Sequence, residues 1–60
     1  MSTPTDTQLR GLYRLSYWLT YIMIQPIYLV CIDDRTNNLY ILAGENENLE
    51  FQITPNGGVF

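Results

Sequence analysis

Cys31, Asp33, Asp34, Glu45 and Glu47 are the side chains with the chemistry to catalyse or to hold a metal. Their spacing favours neither. A calcium loop needs alternating oxygen ligands and a bidentate glutamate at a fixed distance. Asp33-Asp34 and Glu45-Asn46-Glu47 instead fall in two different polar loops, which a meander places at opposite ends of its sheet. They read as turn acids. Asp34-Arg35-Thr36 superficially matches a phospho-aspartate motif, but the glycine and the strand-loop-helix setting are missing. Cys31 has no histidine anywhere in the chain to activate it, so a nucleophilic role fails on chemistry. It reads as a small buried hydrophobe in mid-strand. Acid–base catalysis would rest on carboxylates or tyrosines alone. The expectation is therefore no enzyme, no catalytic residue, no cofactor and no metal.

A second set of side chains points to binding instead. Arg10, Arg14, Tyr17 and Tyr21 recur at spacings of three and four, which places them on one helical stripe, and Trp18 lies on a third side close in angle to Gly11. Arginine, tyrosine and tryptophan dominate the energetic centres of protein interfaces. A structural reading competes, in which the tyrosines pack on a sheet and the arginines solvate the helix start. The interface reading is preferred because Tyr17 to Ile24 is apolar or aromatic nearly all round. A helix of that kind needs cover on every side, and one small sheet covers one face. Arg10, Arg14, Tyr17, Trp18 and Tyr21 are the predicted partner-binding residues.

The elements that must position these residues follow from periodicity. A helix is predicted over about 4–24, preceded by loose residues 1–3. Thr3 is its N-cap with Pro4 in the first turn, and Thr5 with Gln8 offers a capping box one turn later. Leu12, Leu15, Leu19, Ile22 and Met23 form its core face. Pro26 ends it. Strands are predicted over 27–33, 39–43 and 49–54, with 58–60 as a possible fourth. The first is apolar on both faces and reads as the central, doubly covered strand. Asp34 to Asn38 is its hairpin loop. In the third, Leu49, Phe51 and Ile53 point inward while Glu50, Gln52 and Thr54 point outward. Pro55-Asn56-Gly57 is a turn. The fold class is α+β, one N-terminal helix packed on a three- or four-stranded antiparallel β-meander, in a single domain over residues 1–60.

Gln25-Pro26-Ile27-Tyr28-Leu29-Val30, Ile32 to Glu45 and Ile53-Thr54-Pro55-Asn56-Gly57 resemble a family of small cyanobacterial proteins known as a domain of unknown function. The shared pattern is QPIxLVxIDxRTxNxYILAGE followed by PNG. It covers the C-terminal half by identity and the helix by pattern. This chain departs from the family at Asp34, often glutamate there, at Cys31, often arginine, and in a more polar Asn46-Glu47-Asn48. The resemblance implies no catalytic residues. A second small protein encoded beside such family members implies a heteromeric or toxin–antitoxin-like pair.

Size and charge bound the remaining choices. Sixty residues bury only about 60% of the unfolded surface, so further cover is expected from another chain. With one cysteine and no histidine, neither an internal disulfide nor a histidine-held metal can supply it. The lone thiol suits a reducing, cytoplasmic setting. Three arginines against six acids give a net charge of −3, which excludes a phosphate-neutralising face and hence nucleic acid as partner. The N-terminus has neither the basic region nor the apolar core of a signal peptide.

The leading expectation is a non-enzymatic interaction subunit, a homo-oligomer or the companion of a small partner protein. One alternative is an acidic antitoxin-like or inhibitor-like protein that neutralises a basic target. Another is a single-span membrane subunit, since the uncharged run from Leu15 to Ile32 meets the lower length limit of a span. Gln25-Pro26, Ser16 and Thr20 interrupt that run.

Overall fold

The computed structural model describes residues 3–60, so the expectation for residues 1 and 2 lies outside it. Helix α1 is Asp6–Tyr17, and its N-cap is Thr5 rather than Thr3. The capping box decides the matter. Gln8 N–H donates to Thr5 Oγ1 (3.1 Å) and Thr5 N–H donates to Gln8 Oε1 (2.9 Å), so two orphan donors are satisfied reciprocally. The Thr5 hydroxyl then donates to the Pro55 carbonyl at 2.9 Å, which anchors the start to the far end of the chain.

After Tyr17 the helix widens into a π-helical turn, Trp18–Ile22. Met23 N–H donates to Trp18 O (3.0 Å) and Gln25 N–H to Leu19 O (2.8 Å). Spacings of three and four no longer define a face once the turn is wider than an α-helix. The predicted core stripe accordingly breaks: Leu12, Leu15 and Leu19 face inward, but Ile22 is 64% exposed and Met23 is also exposed. Ile24 reverses the chain at φ +53°, and Pro26 prevents any return to helix. The helical segment thus ends at Ile22, two residues short of the expected end.

The sheet is an antiparallel meander in the order β1-β2-β3, with β1 Ile27–Asp33, β2 Asn38–Ala43 and β3 Leu49–Ile53. The expectation that β1 is central is overturned. Two successive hairpins put the middle strand of the sequence in the middle of the sheet, and β2 takes the covered position. Its Leu39, Ile41 and Ala43 are buried in strict alternation, whereas Tyr28, Leu29, Val30 and Cys31 of β1 are exposed. The β1–β2 register shifts between Ile27 and Leu29, a bulge at Tyr28.

The hairpin turn closes through Asn37, at φ +60°, whose N–H donates to Asp33 O at 2.7 Å. Beyond β3 the chain returns as a tail. Ile53 and Val59 form one bridge, and Gln52 and Phe60 exchange backbone hydrogen bonds of 2.7 and 2.9 Å. Residues 58–60 therefore pair along β3 through a single bridge and form no full fourth strand. The turn before them uses Gly57 at φ +92°, where an added Cβ would collide with Thr7 Cγ2.

Directly paired residues share a sheet face, so the register sorts the side chains. Ile32, Leu39 and Ile53 stand in one row, with Val30, Ile41 and Phe51 in the next, and α1 lies over this face. The helix runs close along β3. A Cβ on Gly11 would stand 3.3 Å from Ile53 Cγ2, and Trp18 meets Phe51 edge-on with ring centroids 6.4 Å apart. Leu15, Leu19, Leu39, Ile41, Ala43 and Ile53 form the core. The buried polar side chain Gln8 ties both layers together, as Nε2 donates to Asn37 O (2.8 Å) and Ile53 O (2.9 Å).

Candidate functional site

The outer face of α1 and of the turn that continues it carries the predicted stripe. Arg10, Arg14, Tyr17 and Tyr21 are brought together there, all exposed. The rings of Tyr17 and Tyr21 lie 4.7 Å apart between centroids, tilted by 39°, and Tyr13 joins them at 6.5 Å from Tyr17. This is a continuous ladder of three aromatic rings, 70%, 52% and 67% exposed from Tyr13 to Tyr21. Tilted aromatic contacts of this kind favour the rings lying against one another along the helix.

Tyr13 was recoverable from sequence, since it precedes Tyr17 by one helical turn. Trp18 stands apart from the other four predicted residues. It leans on Phe51 at the β3 side of the helix and is 41% exposed. Among the described residues the ion pair is Arg35 with Asp33, at 3.4 Å, which leaves Arg10 and Arg14 without an acidic partner.

At the far end of the ladder, Ile24 is 75% exposed and holds a positive φ. A β-branched side chain there crowds its own backbone, at a cost of roughly 1–3 kcal/mol. No pattern in the sequence marks it, because the strain arises from how the π-helical turn terminates. Just beneath, the loop after β2 is fastened to the helix end. Gly44 N–H donates to Pro26 O (2.9 Å) and Glu45 N–H donates to Gln25 Oε1 (3.2 Å). Glu45 and Glu47 project from that loop into solvent.

The acids themselves do turn chemistry. Arg35 N–H donates to Asp33 Oδ1 at 2.9 Å and the Arg35 guanidinium lies beside the same carboxylate. That backbone hydrogen bond first, and the guanidinium contact second, hold Asp33 below the ordinary carboxylate range. Asp33 and Asp34 lie at the end of the sheet where Gln8 docks, and Glu45 and Glu47 lie at the other. No cluster of three or more histidine, cysteine or acidic side chains among the described residues could hold a metal ion.

Cys31 corrects another expectation, for its thiol is exposed rather than buried. It pairs with Tyr40 on the sheet face away from the helix, and no element among the described residues covers that face. On the helix side, α1 sits over β2 and β3 and leaves β1 as an apolar shelf. An open groove of about 540 Å³ runs there, lined chiefly by Thr3, Pro4, Leu12, Val30, Ile32 and Leu39. No helix among the described residues is long and apolar enough to cross a membrane, because the uncharged run from Leu15 to Ile32 is divided between helix, bend and strand.

A model of the family described as a domain of unknown function (DUF6888) matches residues 3–60. No curated protein and no solved structure matches the chain.

Proposed function

This chain belongs to the DUF6888 family, and we propose that it is a non-enzymatic protein-interaction subunit whose docking face is the outer side of α1. The observation that supports the reading is the exposed Tyr13-Tyr17-Tyr21 ladder flanked by Arg10 and Arg14. The opposite side of the same helix already fills the sheet, through Leu15 and Leu19. The tyrosines therefore have no task in the core. Tyrosine presents a large, stiff contact area with few rotatable bonds to freeze, and arginine adds directional charge at the rim. Docking there would bury the apolar helix surface that a chain of sixty residues cannot hide by itself. A cytoplasmic setting belongs to the same reading, since a reducing compartment keeps the exposed Cys31 thiol free.

Light scattering coupled to size exclusion, with the chain purified from its native cell, tests the proposal. The wild type is expected to elute as an assembly, with itself or with a captured protein. The double variant Tyr17→Ser, Tyr21→Ser should elute as a 7.0 kDa monomer with an unchanged circular dichroism spectrum. A wild type that stays monomeric and captures nothing refutes the reading, and so does a double variant that assembles like the wild type.

A further inference from the structure

We propose that the occupant of this face is a second copy of the chain, docked helix to helix and antiparallel about a two-fold axis near Tyr17. The inference rests on the docking reading above and adds the identity and the orientation of the partner. A two-fold interface presents the same patch twice, so it needs a patch that complements itself. The tyrosine ladder meets that need. With Tyr17 on the axis, Tyr13 lies opposite Tyr21 of the second copy, and the rings can interleave along their full length.

Charge selects both the partner and its direction. Arg10 and Arg14 occupy one end of the ladder. The other end carries no charge on the helix from Leu15 to Ile24, and is fringed by the Glu45-Glu47 loop held beneath it by Gln25 and Pro26. Parallel docking would set four arginines side by side, which like-charge repulsion penalises. Antiparallel docking carries each arginine pair towards the acidic fringe of the other copy. The chain thus holds both halves of the complementarity in itself, and no second protein has to supply one.

Ile24 argues the same way. In the antiparallel register Ile24 faces the stem of Arg10 and the neighbouring Leu9, which is 47% exposed. Cover at this position accounts for a bulky apolar side chain retained at φ +53°, where glycine would be unstrained. With 70%, 52% and 67% of their surfaces still exposed, the three tyrosines, at roughly 150–250 Å² each in full, have roughly 280–470 Å² left to bury. With Ile24 and two arginine stems the patch suits a small, weakly held dimer below the ~800 Å² per partner of a standard interface.

Disulfide trapping decides the arrangement. Tyr13→Cys and Tyr21→Cys are made separately in full-length chains that carry Cys31→Ser, then mixed and oxidised in air. The proposal expects a mixed 13–21 disulfide and little 13–13 or 21–21 product, together with a wild-type dimer by light scattering. Glu45→Lys with Glu47→Lys should weaken that dimer by about two- to fivefold at low salt. Arg10→Glu with Arg14→Glu in the same chain should restore it.

Self-disulfides in each separate sample would mean parallel helices and overturn the proposal. A dimer that forms with none of these crosslinks and keeps its strength in Tyr17→Ser, Tyr21→Ser lies on another face and overturns it as well. A monomer that captures a different protein, and loses it with Tyr17→Ser and Tyr21→Ser, overturns the second copy but leaves the docking reading standing. A monomer that captures nothing removes both.

Discussion

The hydroxyl of Tyr40 donates to Glu50 Oε1 at 2.6 Å, diagonally across β2 and β3 on the sheet face turned away from the helix. A charged acceptor that close holds the phenol proton in place and pushes the Tyr40 pKa above the ordinary tyrosine value. The sign of the linkage follows. Because the folded value is raised, the stabilisation is fully present below the unfolded pKa, near 10, and is lost as pH climbs through the folded value. Titrating the Tyr40 ring by NMR should find it ionising above the ordinary range, and Glu50→Ala should bring it back down. An unchanged Tyr40 titration in Glu50→Ala would show that the acceptor plays no part. Asp33 is held locally instead, by the backbone N–H and guanidinium of Arg35 two residues on.

At the scale of elements, Gln8 is where the helix is fixed to the sheet. Its amide serves the capping box on one side and donates to Asn37 O and Ile53 O on the other, with the side chain only 1% exposed. Gln8→Leu keeps the volume and removes every one of these bonds, the buried one to Ile53 O among them. The expected loss is about 2–3 kcal/mol. Each kcal/mol lowers Tm by about 4–8 °C in a domain this small. Thr5→Ala, which removes the hydroxyl's cap and its bond to Pro55 O but spares the Gln8 bonds to Asn37 and Ile53, should cost only about 1 kcal/mol. Thermal unfolding followed by circular dichroism ranks the two; equal losses would mean that Gln8 acts through the cap and not through the sheet.

The same elements mark how far the sequence could be read. Cap, turn and alternation signals are local, and they mark the capping box at Thr5 and Gln8, the hairpin loop at Asp34 to Asn38, one residue into β2, and the inward Leu49, Phe51 and Ile53. Two features are set by tertiary context and were misread. The apolar pattern of β1 records that both its faces are apolar, not what covers them, so it marks an open edge and a central strand alike and does not tell an exposed Cys31 from a buried one. The π-helical turn at Trp18–Ile22 has no three-and-four signature, so Ile22 and Met23 were placed on a face they leave. The stripe itself was legible in Arg10, Arg14, Tyr17 and Tyr21, while Tyr13 and the strained Ile24 were added by the fold.

At the scale of the whole molecule the two edges of the sheet are treated differently. The C-terminal tail pairs with β3 through Gln52 and Phe60, whereas the outer side of β1 is open among the described residues. From Ile27 to Ile32 that strand carries no charge and no proline, and beyond the bulge at Tyr28 nothing in it blunts the edge against another chain. The open groove beside Val30 and Ile32 adds apolar surface along the same edge. If α1 is the docking face, β1 is an aggregation hazard rather than an interface, and one charge should blunt it. Leu29→Lys, at a side chain 45% exposed on the outer sheet face, should change stability by no more than about 0.5 kcal/mol. It should also slow the loss of protein from concentrated, warmed samples, read by light scattering, and leave the helix-face assembly at its wild-type mass. If Leu29→Lys instead reduces the assembly to monomers, the copies meet strand to strand at β1, and the tyrosine ladder is left without its partner.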